Sequence, residues 1–253
     1  MRRNALKKII SATRKNWSME KKKEWQKNAE FWIKIIRKGL DPYRLKVTNK
    51  AILELLKGDK QLRILDAGCG EGYLARTLAK LGHKVWAIDF CPGLIKAAER
   101  LEKKELLGVK YFLEDFRKTH FLNSSFDVVF SHQTINEVGN PKKALREFYR
   151  ILKKRGRVIL LFLHPCFEVD PKFYFHNLKI KKPYYLVSGI KSPSSYFYLH
   201  LPLSKWIKLL NETGFLIKSI AEPRPPLTLI QRDRWWKENF KKPLFILIEA
   251  IKV

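Results

Sequence analysis

Between Arg63 and Leu163, five short apolar runs alternate with stretches of helical period, and this constrains the fold more than any other feature. The runs are RILDAG (63–68), KVWAID (84–89), VKYFLED (109–115), FDVVFS (126–131) and RVILLFL (157–163). Several are apolar at successive positions, a pattern that suits strands covered on both faces. Helical spacing predicts helices over about 71–81, 91–106, 140–152 and 203–213, the last closing at Gly214. Strands joined by helices and buried on both sides specify an α/β domain with a mostly parallel sheet and helices on each face. Two further runs, FLIKSIAEP (215–223) and LFILIEAIKV (244–253), have no helical pattern between them and predict a terminal antiparallel pair.

The rest of the chain divides around this core. Residues 1–23 hold nine Lys or Arg and one acid, Glu20, and read as a basic, solvated tail. Residues 24–60 carry two apolar stripes separated by the turn GLDPYR, which predicts two helices packed over one edge of a single domain spanning 24–253. Residues 61–163 form the core. Residues 164–202 are too long for a plain connection and rich in Phe and Tyr, so they read as a lid insertion. A helix and the strand pair occupy 203–253.

The net charge is +28, from 52 Lys and Arg against 24 Asp and Glu. Such an excess would suit a polyanion. The lysines are spread along the whole chain, however, and a nucleic-acid footprint should be clustered. Cys69, Cys91 and Cys166 lie far apart without a CxxC pair, which fits neither zinc nor a disulfide framework and points to a reducing, cytoplasmic setting. No apolar run is long enough to predict a membrane-spanning helix.

The first strand runs into ILDAGCGEG, residues 64–72. Glycines at this turn let the backbone take positive φ and approach a ligand beyond the carboxyl ends of the strands. The amides of the following helix can receive an anionic group. A dinucleotide fingerprint would need glycine where Tyr73 stands, and the phosphate-loop GK[ST] is absent.

With an acid before GxGxG (Asp66 to Gly72), an acid ending the second strand (Asp89), an acid after the third (Asp115) and the segment ALREFYRILKKRGRVILLF, the chain resembles the class I S-adenosylmethionine-dependent methyltransferases, in a small-molecule branch. The resemblance implies a Rossmann-like seven-stranded sheet and S-adenosylmethionine as cofactor. It places Gly68, Cys69, Gly70 and Gly72 along the methionine part, with Asp66 near its ammonium. Asp89 would accept both ribose hydroxyls. Asp115 would meet the adenine amino group, with Phe90 and Phe116 flanking the ring. The N-terminal helices would close over the cofactor, with Tyr43 and Arg44 near its carboxylate. The family's Pro-Gly-Gly before the fifth strand is here Lys154-Arg155-Gly156.

Acceptor-side groups should come from the ends of the fourth and fifth strands. These deliver Ser131, His132 and Gln133, with Asn136 and Glu137 just beyond, and then His164. A histidine there is a candidate base because it titrates near neutrality, the alternatives being that His132 lines the methionine pocket and His164 pins its own loop. No metal site is expected. A small-molecule acceptor is favoured, with tRNA or rRNA as the alternative acceptor, and no oligomeric state follows from the sequence.

Overall fold

The computed structural model describes residues 17–167, 169–186 and 189–253. Seven strands form one sheet: β1 (Arg63–Ala67), β2 (Lys84–Asp89), β3 (Lys110–Leu113), β4 (Phe126–His132), β5 (Leu152–Leu163), β8 (Phe215–Ala221) and β9 (Phe245–Lys252). Their order is β3-β2-β1-β4-β5-β9-β8. The first five pair in parallel, and β9 runs antiparallel to both β5 and β8. The predicted α/β sheet and terminal antiparallel pair are both present. Helices α3 (Tyr73–Lys80), α4 (Pro92–Glu105), α5 (Pro141–Ile151) and α6 (Leu203–Glu212) cover the sheet, with bounds close to those read from the periodicity.

Burial explains the continuous apolar runs. Alternate residues of one strand enter opposite cores: Leu65, Val129, Leu160 and Ile248 join one, and Ile64, Val128, Ile159 and Leu247 join the other. The carboxyl ends of β1, β2 and β4 therefore sit between two packed layers. Strand order reverses between β1 and β4, so the crevice at their ends is where an open parallel sheet takes ligands.

Three features depart from the sequence reading. Two short helices, α7 (Leu227–Arg232) and α8 (Arg234–Asn239), lie between β8 and β9, where no helical pattern was read. Each spans six residues, too few to show a period, and α8 is set by Asp233, whose side chain accepts the Trp235 and Trp236 amides. The second departure is β5, which starts at Leu152, straight after α5. The third concerns the front of the chain. Helix α1 (Trp17–Arg37) begins inside the predicted tail and covers the carboxyl ends of the strands instead of a sheet edge. A five-residue π-helical turn (Arg44–Thr48) and α2 (Asn49–Leu55) follow it.

The insertion between β5 and α6 folds as an antiparallel hairpin, β6 (Leu178–Tyr185) with β7 (Lys191–His200), separate from the main sheet. Asn28 of α1 ties to it by accepting the Ser194 amide at 2.8 Å and donating to the Ser194 carbonyl at 3.2 Å. Trp32 meets Tyr184 edge-on with ring centroids 4.9 Å apart. Helix and hairpin thus form one roof. Among the described residues, no helix is long and apolar enough to cross a membrane.

Candidate active site

Beneath this roof lies a cavity of about 110 Å³, reached by Asp66, Gly68, Cys69, Gly70, Glu71 and Asp89 from the ends of β1 and β2. It shares Lys21, Phe90, Phe116 and Val138 as a wall with a groove of about 660 Å³ that runs to Asp115 and Arg117.

The glycine turn is built from its backbone outward. The Gly68 and Cys69 amides both donate to the Ile88 carbonyl, at 2.8 and 3.0 Å, which holds the turn against the end of β2. Gly68, Gly70 and Gly72 all have positive φ, at 87°, 59° and 82°. Their surroundings differ. A Cβ on Gly68 would stand 2.6 Å from Thr134, and one on Gly72 would stand 2.5 Å from the Tyr111 hydroxyl. A Cβ on Gly70 would meet nothing within 4 Å. Gly68 and Gly72 thus admit protein neighbours, and Gly70 faces open space.

Asp89 points at this turn. Its Oδ2 accepts the Gly70 amide at 3.0 Å and its Oδ1 the Cys91 amide at 2.9 Å. Burial raises its carboxyl above the ordinary range despite those donors. Asp66 is more extreme: it is 2% exposed, and Oδ2 has no hydrogen-bond partner among the described residues. Burial first, and then the nearby charge of Asp89, push its pKa up to about 7, with Arg44 opposing. Neither acid makes an ion pair among the described residues. Glu71 does, taking Arg76 at 2.9 Å and Arg37 of α1 at 3.2 Å, so it fastens the roof to the glycine turn.

Placement sorts the remaining expected residues. Arg44, His132, Phe90 and Phe116 line the cavity, as does Tyr43, which is buried against Trp235, Trp236 and Phe245. Gly72 and Ser131 do not line it; the Ser131 hydroxyl is engaged by Thr134. Asp115 faces the adjoining groove, where Arg117 clamps it through the backbone amide at 2.9 Å and the guanidinium, holding its carboxyl below the usual range. His164 stands apart, by a small pocket under the hairpin that it shares with Asn136.

The two histidines differ in what they can do. Arg44 can only donate, so His132 accepts it at Nδ1 (3.5 Å) and donates from Nε2 to the Thr48 hydroxyl (2.9 Å). Burial and the Arg44 charge hold His132 well below its usual pKa, so it is neutral. His164 accepts the Cys166 amide at Nδ1 (3.2 Å), and Glu222 lies 3.3 Å from Nε2; burial lowers its pKa as well.

The resemblance implied N-terminal helices closed over the cofactor, but sequence reasoning did not single out the α1 residues that face it. Lys21, Trp25, Asn28 and Trp32 all line the cavity. Lys21 pairs with Glu137 at 3.5 Å and also donates to its carbonyl, while the Trp25 indole donates to the Glu137 carboxylate at 2.8 Å. One signal existed: Asn28, 1% exposed, interrupts an otherwise apolar stripe. Gln133 stands where the sequence placed it, at the end of β4. It lines the cavity with φ at 60°, a left-handed conformation unusual for its type and typical of functional sites.

Comparison with known proteins meets this geometry at the same residues. Residues 65–160 match the sequence family described as Methyltransferase domain, a span from β1 to β5 that includes the turn, Asp89 and the end of β4. Over that span the chain carries a methyltransferase domain, and it is similar to the class I S-adenosylmethionine-dependent methyltransferases. Among its relatives is a demethylmenaquinone methyltransferase of Renibacterium salmoninarum, 30% identical over 57% of this chain and 60% of that protein. Another of the same name, from Chlorobaculum tepidum, is 29% identical over 74% of this chain and 78% of its own. A solved structure from Listeria monocytogenes, described as an S-adenosylmethionine-dependent methyltransferase, superposes with a TM-score of 0.67 at 22% identity and covers 81% of this chain and 96% of its own. That likeness establishes the fold.

Proposed function

We propose that this methyltransferase acts on a small molecule held under the roof of α1 and the hairpin. The observation that carries this reading is the enclosure itself. Trp25, Trp32 and Ile36 from the helix and Tyr184 and Tyr196 from the hairpin wall the cavity that reaches the glycine turn, a shape that suits a compact acceptor. The relatives named for demethylmenaquinone accord with it.

The residues present fit the cofactor of the family. Open space at Gly70 and the orphaned Oδ2 of buried Asp66 match a ligand that approaches the turn closely and carries a cation. When bound, S-adenosylmethionine supplies an electrophilic methyl group on a sulfonium. Asp66 would hold the ammonium end, and a cation beside it would return its carboxyl to the charged form. Asp89 would accept the ribose hydroxyls with capacity remaining after its two amide donors. Phe90 and Phe116 would flank the base, with Asp115 at the rim of the groove. The roof excludes water and aligns the acceptor, and positioning of that kind supplies much of the acceleration in an in-line transfer. His132, neutral with its lone pair turned to Arg44, serves here as a wall and not as a base. His164 has no part in the transfer on this reading.

Incubating the protein with methyl-labelled cofactor and separated cell fractions tests the proposal. Label should appear in the small-molecule fraction. Label confined to tRNA or rRNA would overturn the proposal and give the +28 charge a direct role.

A further inference from the structure

We propose that Asn136 positions the methyl acceptor, and that the acceptor is an uncharged molecule offering a hydroxyl or N–H hydrogen from an apolar, ring-sized body. This rests on the methyltransferase reading of the same cavity. Asn136 lies in the single helical turn after β4 (Ile135–Glu137), is 4% exposed, and lines the cavity. Its amide oxygen has no hydrogen-bond partner among the described residues. A buried carbonyl left unpaired is costly, and native structures keep one chiefly where a ligand completes it.

Four other polar side chains at this end of β4, those of Ser131, His132, Thr134 and Glu137, are engaged by protein neighbours, whereas Gln133 is less buried and bonds through its backbone amide. The Ser131 and Thr134 hydroxyls meet each other, and Thr134 donates to the Ala67 carbonyl at 3.0 Å. His132 is held by Thr48 and Arg44. Glu137 is held by Lys21 and Trp25. Asp66, whose buried Oδ2 is also unpaired, lies at the turn near Asp89 and would answer to the cofactor's cation. Asn136 therefore carries the buried, unpaired acceptor atom at this end of β4 that the cofactor would leave over.

The surroundings define what it takes. An amide oxygen accepts and cannot donate, so the ligand must bring the hydrogen. Asp41, Asp66, Glu71, Asp89 and Glu137 outnumber Lys21 and Arg44 along the cavity lining and disfavour an anion. Tyr184 and Tyr196, with ring centroids 5.7 Å apart, face Leu163 and Trp25 across the same space and suit an apolar body.

The test uses the full chain loaded with S-adenosylhomocysteine and four single-ring probes, titrated by tryptophan fluorescence. The probes are para-cresol, para-toluidine, 4-methylanisole and para-toluate. Cresol and toluidine should bind roughly tenfold more tightly than methylanisole, which lacks the donor, and toluate should bind most weakly. Asn136→Leu should erase the cresol-over-methylanisole preference while leaving the affinity for S-adenosylhomocysteine within about twofold, a pattern that a merely structural residue would not give. Equal binding of cresol and methylanisole by the unaltered protein overturns the proposal, whether or not the variant folds, and so does a preference that survives in Asn136→Leu. Failure of S-adenosylhomocysteine itself to bind would instead remove the methyltransferase reading on which the proposal stands.

Discussion

The two ends of the central sheet treat their carboxylates in opposite ways. At the amino end of β4, Asp127 takes Lys153 at 2.6 Å and the Arg63 amide at 2.8 Å, and these partners hold its carboxyl below the usual range. On β9, buried Glu249 is met by Arg157 at 3.2 Å and Lys218 at 3.3 Å. At the carboxyl end of β1 and β2, Asp66 and Asp89 are buried like Glu249, yet neither has an ion pair among the described residues, and both carboxyls are raised. In a chain with 52 basic residues and 24 acidic ones, cations are plentiful. The two cations on the crevice wall are spent on other acids, Lys21 on Glu137 and Arg44 on Asp41, which leaves Asp66 and Asp89 for a cation that arrives with a ligand.

Substitutions at the two ends should therefore separate binding from stability. The largest effect is expected for Asp89→Ala, which should weaken S-adenosylhomocysteine binding by roughly 100-fold in calorimetry, the scale of losing charge-assisted hydrogen bonds. Asp127→Ala should leave binding unchanged and lower Tm by only about 2–4 °C. Equal effects on binding would erase the contrast between the two ends.

Within the turn, Gly70→Ala should weaken binding roughly tenfold, because the new methyl enters ligand space, at a folding cost of about 1 kcal/mol from its positive φ. Gly72→Ala should instead act on stability, by about 1–3 kcal/mol, because its Cβ collides with Tyr111. Chemical denaturation and calorimetry on both variants would show whether the two glycines do separate jobs.

The pH dependence sharpens the comparison further. A cation at Asp66 requires the ionised form, so affinity for S-adenosylhomocysteine should be full above its pKa of about 7 and fall as pH drops through it, by roughly tenfold between pH 8 and 6. Stability runs the other way. The folded protein keeps a proton on Asp66 that the unfolded chain has already released, so the ligand-free fold loses stability as pH rises from the ordinary carboxylate range toward 7. Asp66→Asn should flatten the binding profile and raise Tm at pH 8 by about 2–4 °C. The smallest effect is expected for His164→Ala, within about twofold on cofactor binding, since His164 lies outside the cavity.

Legibility in the sequence followed the range of the interactions. The β1 to β5 alternation and the ends of α3 to α6 come from local periodicity and turn chemistry, and these are visible in a linear string. The turn and Asp89 were legible because short spacing fixes a strand end against the helix that follows. The direction of α1 came from the family resemblance and not from its own residues. Its cavity-facing residues, Trp25 and Trp32, look the same in sequence whether they pack on a sheet edge or over a ligand, and only the distant partners Glu137, Glu71 and Ser194 decide. The engagement of Asp115 by Arg117 is two residues long and could have been anticipated from an acid followed so closely by an arginine. The separation of His164 from the cavity could not, because it depends on where β5 ends relative to the hairpin.

A crystal structure with S-adenosylhomocysteine addresses the crevice most directly. The ribose hydroxyls are expected on the Asp89 carboxylate and the amino group beside Asp66, with the backbone of Gly70 against the ligand. Density for the ligand elsewhere, or side chains collapsed into the space between Gly70 and Asp89, would contradict the assignment of this end of the sheet.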